Sequence, residues 1–304
     1  MKYNLLIIRY GEIALKAKET RKRFENTLVN NIKNALEFEQ IQNKVSRERG
    51  RIYVYSNQIE KCALTLQKIF GITSISPALQ TNCDINSISD LSKSFSKEFI
   101  TKQKSFALRV TRTGKHDYSS QDVAEKIGND IVKITGAKVN LNVPDFELFI
   151  EIRNKYAYIF TQKIRGTGGL PMGTQGKVIA LITNPKSILA AWYIMHRGCK
   201  TYFANSNRIY TKMLNSFITN WYANSHIYNI NENKKNYYKD IRRIAYEKNC
   251  DAIVTGHSLF NNNHNEFLEI KLLKKHIDLP ILNPLIAMEM DKIKQKCKSI
   301  GISL

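Results

Sequence analysis

Apolar side chains along this chain recur at two periods, every second residue and every third or fourth, and the switches between them mark out its elements. Residues 3–9 form a near-continuous apolar run that predicts a buried strand. Residues 20–36 predict a helix, with Phe24, Leu28, Ile32 and Leu36 four apart on one face. Arg21, Lys22 and Arg23 crowd its first turn, where the helix dipole disfavours cations and an anionic ligand would relieve them; solvated surface charge is the plainer account. Strands at 41–46 and 51–55 meet across the turn at Arg49-Gly50, a helix spans 59–70, and another strand starts at Ile72. This β-α-β-β-α-β order is the ferredoxin-like pattern.

A second set of elements begins near Cys83. A helix over 85–99 leads to a strand over 106–111, the turn Thr113-Gly114-Lys115, and a helix capped by Ser119 or Ser120 that reaches about residue 134. Strands at 146–152 and 156–162 form a hairpin around Arg153-Asn154-Lys155. Five of the fourteen glycines then fall between 166 and 176, which reads as a domain linker with tight turns. It is not a P-loop, because that motif needs glycine where Pro171 stands. Beyond it, strands at 178–182, 201–204, 226–230 and 252–255 alternate with helices: one running to Trp192, then 209–222, 237–248, 266–275 and 291–299. Such alternation predicts a parallel α/β domain with ligands at the carboxyl ends of its strands. The chain therefore combines α+β and α/β units, with expected boundaries at 1–75, 76–165, a linker over 166–176, and 177–304.

Composition narrows the partners. The 304 residues carry 47 Lys and Arg against 26 Asp and Glu, a net charge of +21, while 43% are apolar. That is enough to bury a core, and a basic balance of this size, spread through all thirds of the chain, suits an extended polyanion such as nucleic acid. A Lys- and Asn-rich genome is the competing account of the same charge. No apolar run nears the roughly 20 residues of a membrane span, and Arg9 and Glu12 interrupt any signal-peptide core, so a cytoplasmic location is expected and no membrane partner. Cysteines at 62, 83, 199, 250 and 297 are odd in number and widely spaced, arguing against disulfides and a zinc site and for small buried hydrophobes. No metal site is expected.

Longer motifs carry a resemblance. Arg9-Tyr10-Gly11-Glu12-Ile13-Ala14-Leu15-Lys16 with Arg23-Phe24-Glu25 resembles the opening of the tRNA 4-thiouridine synthetases, the ThiI-type tRNA sulfurtransferases. Residues 109–128 resemble their RNA-binding THUMP domain. Glu151-Ile152-Arg153, Arg197-Gly198-Cys199, Val254-Thr255-Gly256 and Leu279-Pro280-Ile281-Leu282-Asn283-Pro284-Leu285 follow in family order, so the resemblance runs from about residue 3 to the C-terminus. It implies a ferredoxin-like domain, a THUMP domain and a C-terminal Rossmann-like, PP-loop pyrophosphatase-type α/β domain. It also implies chemistry: Mg-ATP adenylates a tRNA uridine, and persulfide sulfur delivered by a separate donor displaces AMP. The partners implied are tRNA and a second copy, in a homodimer with RNA across both chains. Candidate RNA contacts are Arg109, Arg112, Lys115 and His116 on one strand and the turn leaving it, together with Arg153, Lys163 and Arg165.

The chain departs from that family where the chemistry would occur. The pyrophosphatase motif Ser-Gly-Gly-x-Asp-Ser is replaced by Thr183-Asn184-Pro185-Lys186-Ser187, one residue shorter. Both glycines that let the backbone wrap a phosphate are gone, Pro185 has no N–H, and Lys186 has the wrong sign for the lost aspartate. Ser187 alone matches and is expected to open the next helix. After Gly256, where the family runs Glu-x-Leu-Gly-Gln, this chain has His257-Ser258-Leu259-Phe260-Asn261-Asn262-Asn263-His264. The family's relay cysteine lies beyond Leu304, so no residue is nominated as catalytic. Three readings stay open. The first is a tRNA-binding protein without its own catalysis, needing no cofactor and working with a catalytic partner. The second is an active sulfurtransferase using ATP and Mg at a divergent site in which Lys186 supplies phosphate charge. The third is a small-molecule enzyme using the α/β domain for another nucleotide.

Overall fold

The structure, a computed structural model, describes residues 2–231, 236–259 and 265–304. Two compact units emerge. One comprises Met1–Arg9, Leu36–Gln67 and Ser74–Arg165; the other comprises Tyr10–Ala35, Lys68–Thr73 and Gly166–Leu304.

The first unit is organised by one long sheet. β1 (Leu5–Tyr10), α1 (Lys18–Phe38, of which residues 18–35 are counted with the second unit), β2 (Lys44–Glu48), β3 (Arg51–Tyr55), α2 (Ile59–Leu66) and β4 (Ile72–Asn82) follow the ferredoxin-like order, with strands arranged β2-β3-β1-β4. β4 is 11 residues long, and its far end pairs antiparallel with β8 (Tyr156–Phe160). The sheet continues through β7 (Phe146–Arg153) and β5 (Ser105–Thr113) to β6 (Lys138–Val139), while β9 (Ile164–Arg165) pairs with the early part of β4. α3 (Ile85–Phe99) and α4 (Ser120–Thr135) bury Ile88, Phe95, Val123, Ile127 and Ile131 against Leu148, Ile150 and Ile152. Each such side chain contributes about 1.5–3 kcal/mol by leaving water. The N-terminus of α4 carries the expected cap, with Ser119 and Asp122 exchanging side-chain-to-backbone hydrogen bonds.

The second unit holds a five-stranded parallel sheet in the order β12-β11-β10-β13-β14, from β10 (Lys177–Ile182), β11 (Lys200–Asn205), β12 (Ile227–Asn229), β13 (Ala252–Val254) and β14 (Ile281–Leu282). Its helices are α5 (Pro185–His196), α6 (Thr211–Asn220), α7 (Tyr237–Glu247), α8 (Asn265–His276) and α9 (Met290–Ser299). Alternate residues of β10 serve opposite faces: Val178, Ala180 and Ile182 pack with α5, α6 and α9, and Ile179 and Leu181 with α7 and α8. A sheet covered on both faces needs apolar residues at every position, which explains the unbroken runs of the sequence. Phe70, from the short segment 68–73, joins this core against Trp192 and Trp221. The glycine-rich stretch is packed tightly here: a Cβ on Gly169, at φ +74°, would lie 2.2 Å from the carbonyl oxygen of His196.

Several expected boundaries move. The strand expected at 41–46 begins at Lys44, because Ile41 N–H still closes the end of α1 on the Leu36 carbonyl with Gln40 at φ 56°. The helix expected to reach residue 70 stops at Leu66. The one expected over 209–222 is a 3-10 turn at Arg208–Tyr210 followed by α6. α5 opens two residues before Ser187, with Asn184 as cap and Pro185 in its first turn, where a missing N–H would have had no helical partner anyway. The two-residue strands β6, β9 and β14 are too short for any periodicity to announce. Among the described residues no helix is long and apolar enough to cross a membrane.

Candidate functional site

Strand order reverses beside β10: β11 and β12 lie to one side of it, β13 and β14 to the other. Ligands of open α/β sheets bind outside the carboxyl ends at such a switch point. The turns that meet here come from residues 183–187 and 255–259. Asn184 Oδ1 accepts from both the backbone N–H and the hydroxyl of Ser187, at 3.2 and 3.3 Å, and Asn184 Nδ2 donates to Thr183 Oγ1 at 3.2 Å. Ser187 is 1% exposed. Gly256 lies so close above it that a Cβ there would be 2.7 Å from the Ser187 nitrogen.

Around this turn the charges neutralise one another. Lys186 Nζ is 3.4 Å from Glu266 Oε1, with both side chains mostly buried. His257 Nε2 bonds Glu269 Oε2 at 2.9 Å and lies 3.9 Å from Glu266, while its Nδ1 meets Thr255 Oγ1 at 2.6 Å. The Thr255 hydroxyl in turn donates to Asn283 Oδ1. Asn205, fully buried at the end of β11, donates from Nδ2 to Thr211 Oγ1 and Asn229 Oδ1, and its side-chain Oδ1 has no partner. Residues 260–264 of the second divergent motif lie outside the described residues.

The thiols whose environment is resolved are not activated ones. All five cysteines are free. Burial raises the thiols of Cys62 and Cys199, and it pushes those of Cys250 and Cys297 up to about 11, far from the depressed values of reactive thiols. Among the described residues no group of three or more His, Cys, Asp or Glu is arranged to hold a metal ion.

The basic residues of the first unit separate into distinct environments. Arg112 and Lys115 are exposed at the end of β5 and in the turn after it. His116 donates from Nε2 to the Asn154 carbonyl at 2.9 Å and stacks on Tyr118, so these three residues gather beside the tip of the β7–β8 hairpin. Arg109 points elsewhere, paired with Glu147 at 2.7 Å and with the Leu141 carbonyl at 2.9 Å. Lys163 is exposed with its ammonium 4.2 Å from the centre of the Phe149 ring; burial of part of that group and the nearby Arg9 hold it below the usual lysine value. Arg165 is exposed on the short strand β9.

Arg153 differs from all of these. It is 9% exposed, and it binds Glu151 at 3.2 Å and the Arg49 carbonyl at 2.6 Å. Glu151, 4% exposed, also receives Arg9 at 2.8 Å and Arg51 at 2.7 Å. Arg153 is thus engaged inside a buried ionic hub. That hub escaped the sequence reading; its only local signal is a carboxylate and an arginine two apart within an apolar strand.

Models of protein families match three segments: the ThiI ferredoxin-like domain at residues 5–76, the THUMP domain at 83–162, and Thiamine biosynthesis protein (ThiI) at 210–303. A protein of Methanobrevibacter smithii named probable tRNA sulfurtransferase is 32% identical over 340 residues, covering 99% of this chain and 87% of that one. This chain belongs to the ThiI family. A Methanothermobacter thermautotrophicus relative with the same name is also 32% identical, covering 98% of this chain and 85% of its own. Among solved structures, a Pyrococcus horikoshii protein superposes with a TM-score of 0.85 at 28% identity, covering 98% of this chain and all of that one. A 4-thiouridine synthetase solved with RNA and bound ATP shares the fold, with a TM-score of 0.82 at 24% identity over 99% of this chain and 85% of that one. The THUMP domain of this ThiI-family chain thus carries the Arg112–His116 turn, the hub joins its Glu151 and Arg153 to Arg9, Arg49 and Arg51 of the ferredoxin-like domain, and the C-terminal α/β domain carries the switch-point turns.

Proposed function

We propose that this protein is a tRNA-binding member of the ThiI family that neither adenylates nor thiolates tRNA by itself, with its α/β unit serving as scaffold or as the surface for a catalytic partner. The tRNA part of the reading is supported by the THUMP domain, by relatives named tRNA sulfurtransferase, and by a net charge of +21. The Lys186–Glu266 pair carries the other part. Mg-ATP is the cofactor the family implies, and the residues at the switch point do not fit it. A phosphate there needs free backbone donors and positive charge. Pro185 has no N–H, the Ser187 N–H and hydroxyl are turned onto Asn184, and Lys186 is neutralised by Glu266. The turn itself offers no carboxylate for magnesium.

A second reading, an active sulfurtransferase with a divergent ATP site, is favoured by one observation: the identity to named sulfurtransferases extends over 99% of the chain. Two measurements separate the readings. Isothermal titration with Mg-ATP, alone and with tRNA, is expected to give no tight binding. Incubation of tRNA with the protein, Mg-ATP and a persulfide donor is expected to give no retarded band on a mercury-containing gel. A retarded band that disappears in Ser187→Ala would establish the second reading instead.

A further inference from the structure

A strongly basic patch lies outside the switch point and the THUMP-side turn. Lys16, Lys18, Arg21, Lys22 and Arg23 fall within eight residues, and Lys18, Lys22 and Arg23 are exposed. Among the described residues none of the five forms an ion pair, even though Glu19 stands between them. Two lysines of α9 behave differently: Lys292 pairs with Glu289 at 3.1 Å and Lys294 with Asp291 at 3.6 Å. Beside the patch, Leu15 is 88% exposed, whereas its neighbour Ile13 is fully buried. Uncompensated cations around a bare apolar side chain are what a surface for a charged polymer with hydrophobic faces looks like.

The patch is also firmly mounted. Glu12 accepts two hydrogen bonds from Arg197, both at 2.9 Å, at the carboxyl end of α5. Asn31 donates to the Met172 carbonyl at 3.1 Å, and Phe24, Leu28 and Ile32 are buried. Segment 10–35 accordingly belongs to the same compact unit as the α/β sheet. α5 has 12 residues, so its two ends, one at Arg197 and one at the switch-point turn, are separated by about 18 Å.

We infer that Leu15, Lys18, Lys22 and Arg23 form a second RNA-binding surface, one that grips the phosphate backbone of the tRNA body away from the switch-point turn. This rests on the tRNA reading above and adds a location to it. Lys18 and Lys22 lie four apart on α1, about 5–6 Å between Cβ atoms, a spacing on the scale of successive phosphates. Arg23, about 100° round the helix from Lys22, widens the patch, and Leu15 supplies apolar contact to sugar or base. Contacts so far from the turn contribute to affinity and register.

The test compares two doubles that remove the same charge, Lys18→Ala/Lys22→Ala and Lys292→Ala/Lys294→Ala, in filter binding of a tRNA transcript over a salt series. The first double is expected to weaken binding about tenfold and to reduce the slope of log K against log salt by roughly 1.4–1.8, the loss of two phosphate contacts. The second is expected to stay within about twofold of the parent at an unchanged slope, since scattered charge alone contributes little. Leu15→Ser is expected to weaken binding severalfold with no change of slope, because apolar contacts release no counterions. Unchanged melting temperatures in both doubles confirm that the fold is intact. A parent protein that fails to bind tRNA removes the tRNA reading itself. A parent that binds, with a Lys18/Lys22 double that matches it or a Lys292/Lys294 double that loses as much, overturns this surface alone. The surface is equally overturned if the Lys18/Lys22 double keeps its RNA affinity and loses binding to phosphatidylserine vesicles.

Discussion

Glu151 concentrates much of the first unit's electrostatics in one side chain. Burial alone would raise its carboxyl, but Arg51 and Arg9 beside it more than offset that and hold it below the usual glutamate range. A carboxylate whose folded value is depressed contributes stability at any pH above the ordinary value near 4.3. That contribution is lost as pH falls through the lower, folded value. Glu151→Gln would remove the carboxylate that Arg9, Arg51 and Arg153 share, and it should lower the local stability of β7 by about 3 kcal/mol. The figure sits at the low end of the range for broken buried pairs because Arg51 keeps 24% of its side chain in water. Hydrogen exchange at the β7 amides measures it: protection should fall in the variant at pH 7, and the gap to the parent should narrow as pH drops below about 4.

At the scale of elements, the contact between α5 and α8 ties together the two turns that meet at the switch point. Lys186 in the first turn of α5 and Glu266 in the first turn of α8 satisfy each other, and His257 ties Glu269 of α8 to the turn after β13. The pairing holds a cation where it is of no use to an anion. Glu266→Gln keeps the shape of α8 and releases that cation. Pyrophosphate affinity, read by isothermal titration, should then rise roughly fivefold to tenfold, equivalent to about 1–1.4 kcal/mol. If affinity does not move, the backbone of residues 183–187 alone bars the anion, and the ion pair is incidental. α4 is a simpler case, since Ser119 and Asp122 fix where it starts with no long-range help.

For the whole molecule, the distribution of charge sets how it meets RNA. A net charge of +21 predicts affinity that falls steeply with salt, each phosphate contact adding about 0.7–0.9 to the slope. The exposed turn at the end of β5 should supply part of that slope. Arg112→Ala with Lys115→Ala is expected to weaken tRNA binding, lower the slope by up to about 1.8, and leave the melting temperature nearly unchanged, because neither side chain is buried. Unaltered affinity in this double would shift the THUMP-side contact to Lys163 and Arg165. Arg153 is unsuited to the same experiment: its substitution would disturb the hub around Glu151 before it said anything about RNA.

What the sequence determined by itself is what short-range periodicity and linear motifs encode. Phe24, Leu28 and Ile32 at helical spacing, the apolar run from Val178 to Ile182 and the cap at Ser119 each specify an element within a dozen residues, and the order of elements follows. Family membership was legible for the same reason, since its motifs are contiguous strings. Tertiary structure alone decided which charges meet. Arg9 and Glu151 are 142 residues apart, Lys186 and Glu266 are 80, and Glu12 and Arg197 are 185. Whether such groups pair depends on strand register and helix docking, which no local pattern records. That is why Arg153, a candidate RNA contact by sequence, is found buried among ionic partners. It is also why residues 10–35, continuous in sequence with the ferredoxin-like elements, belong to the compact unit of the α/β sheet.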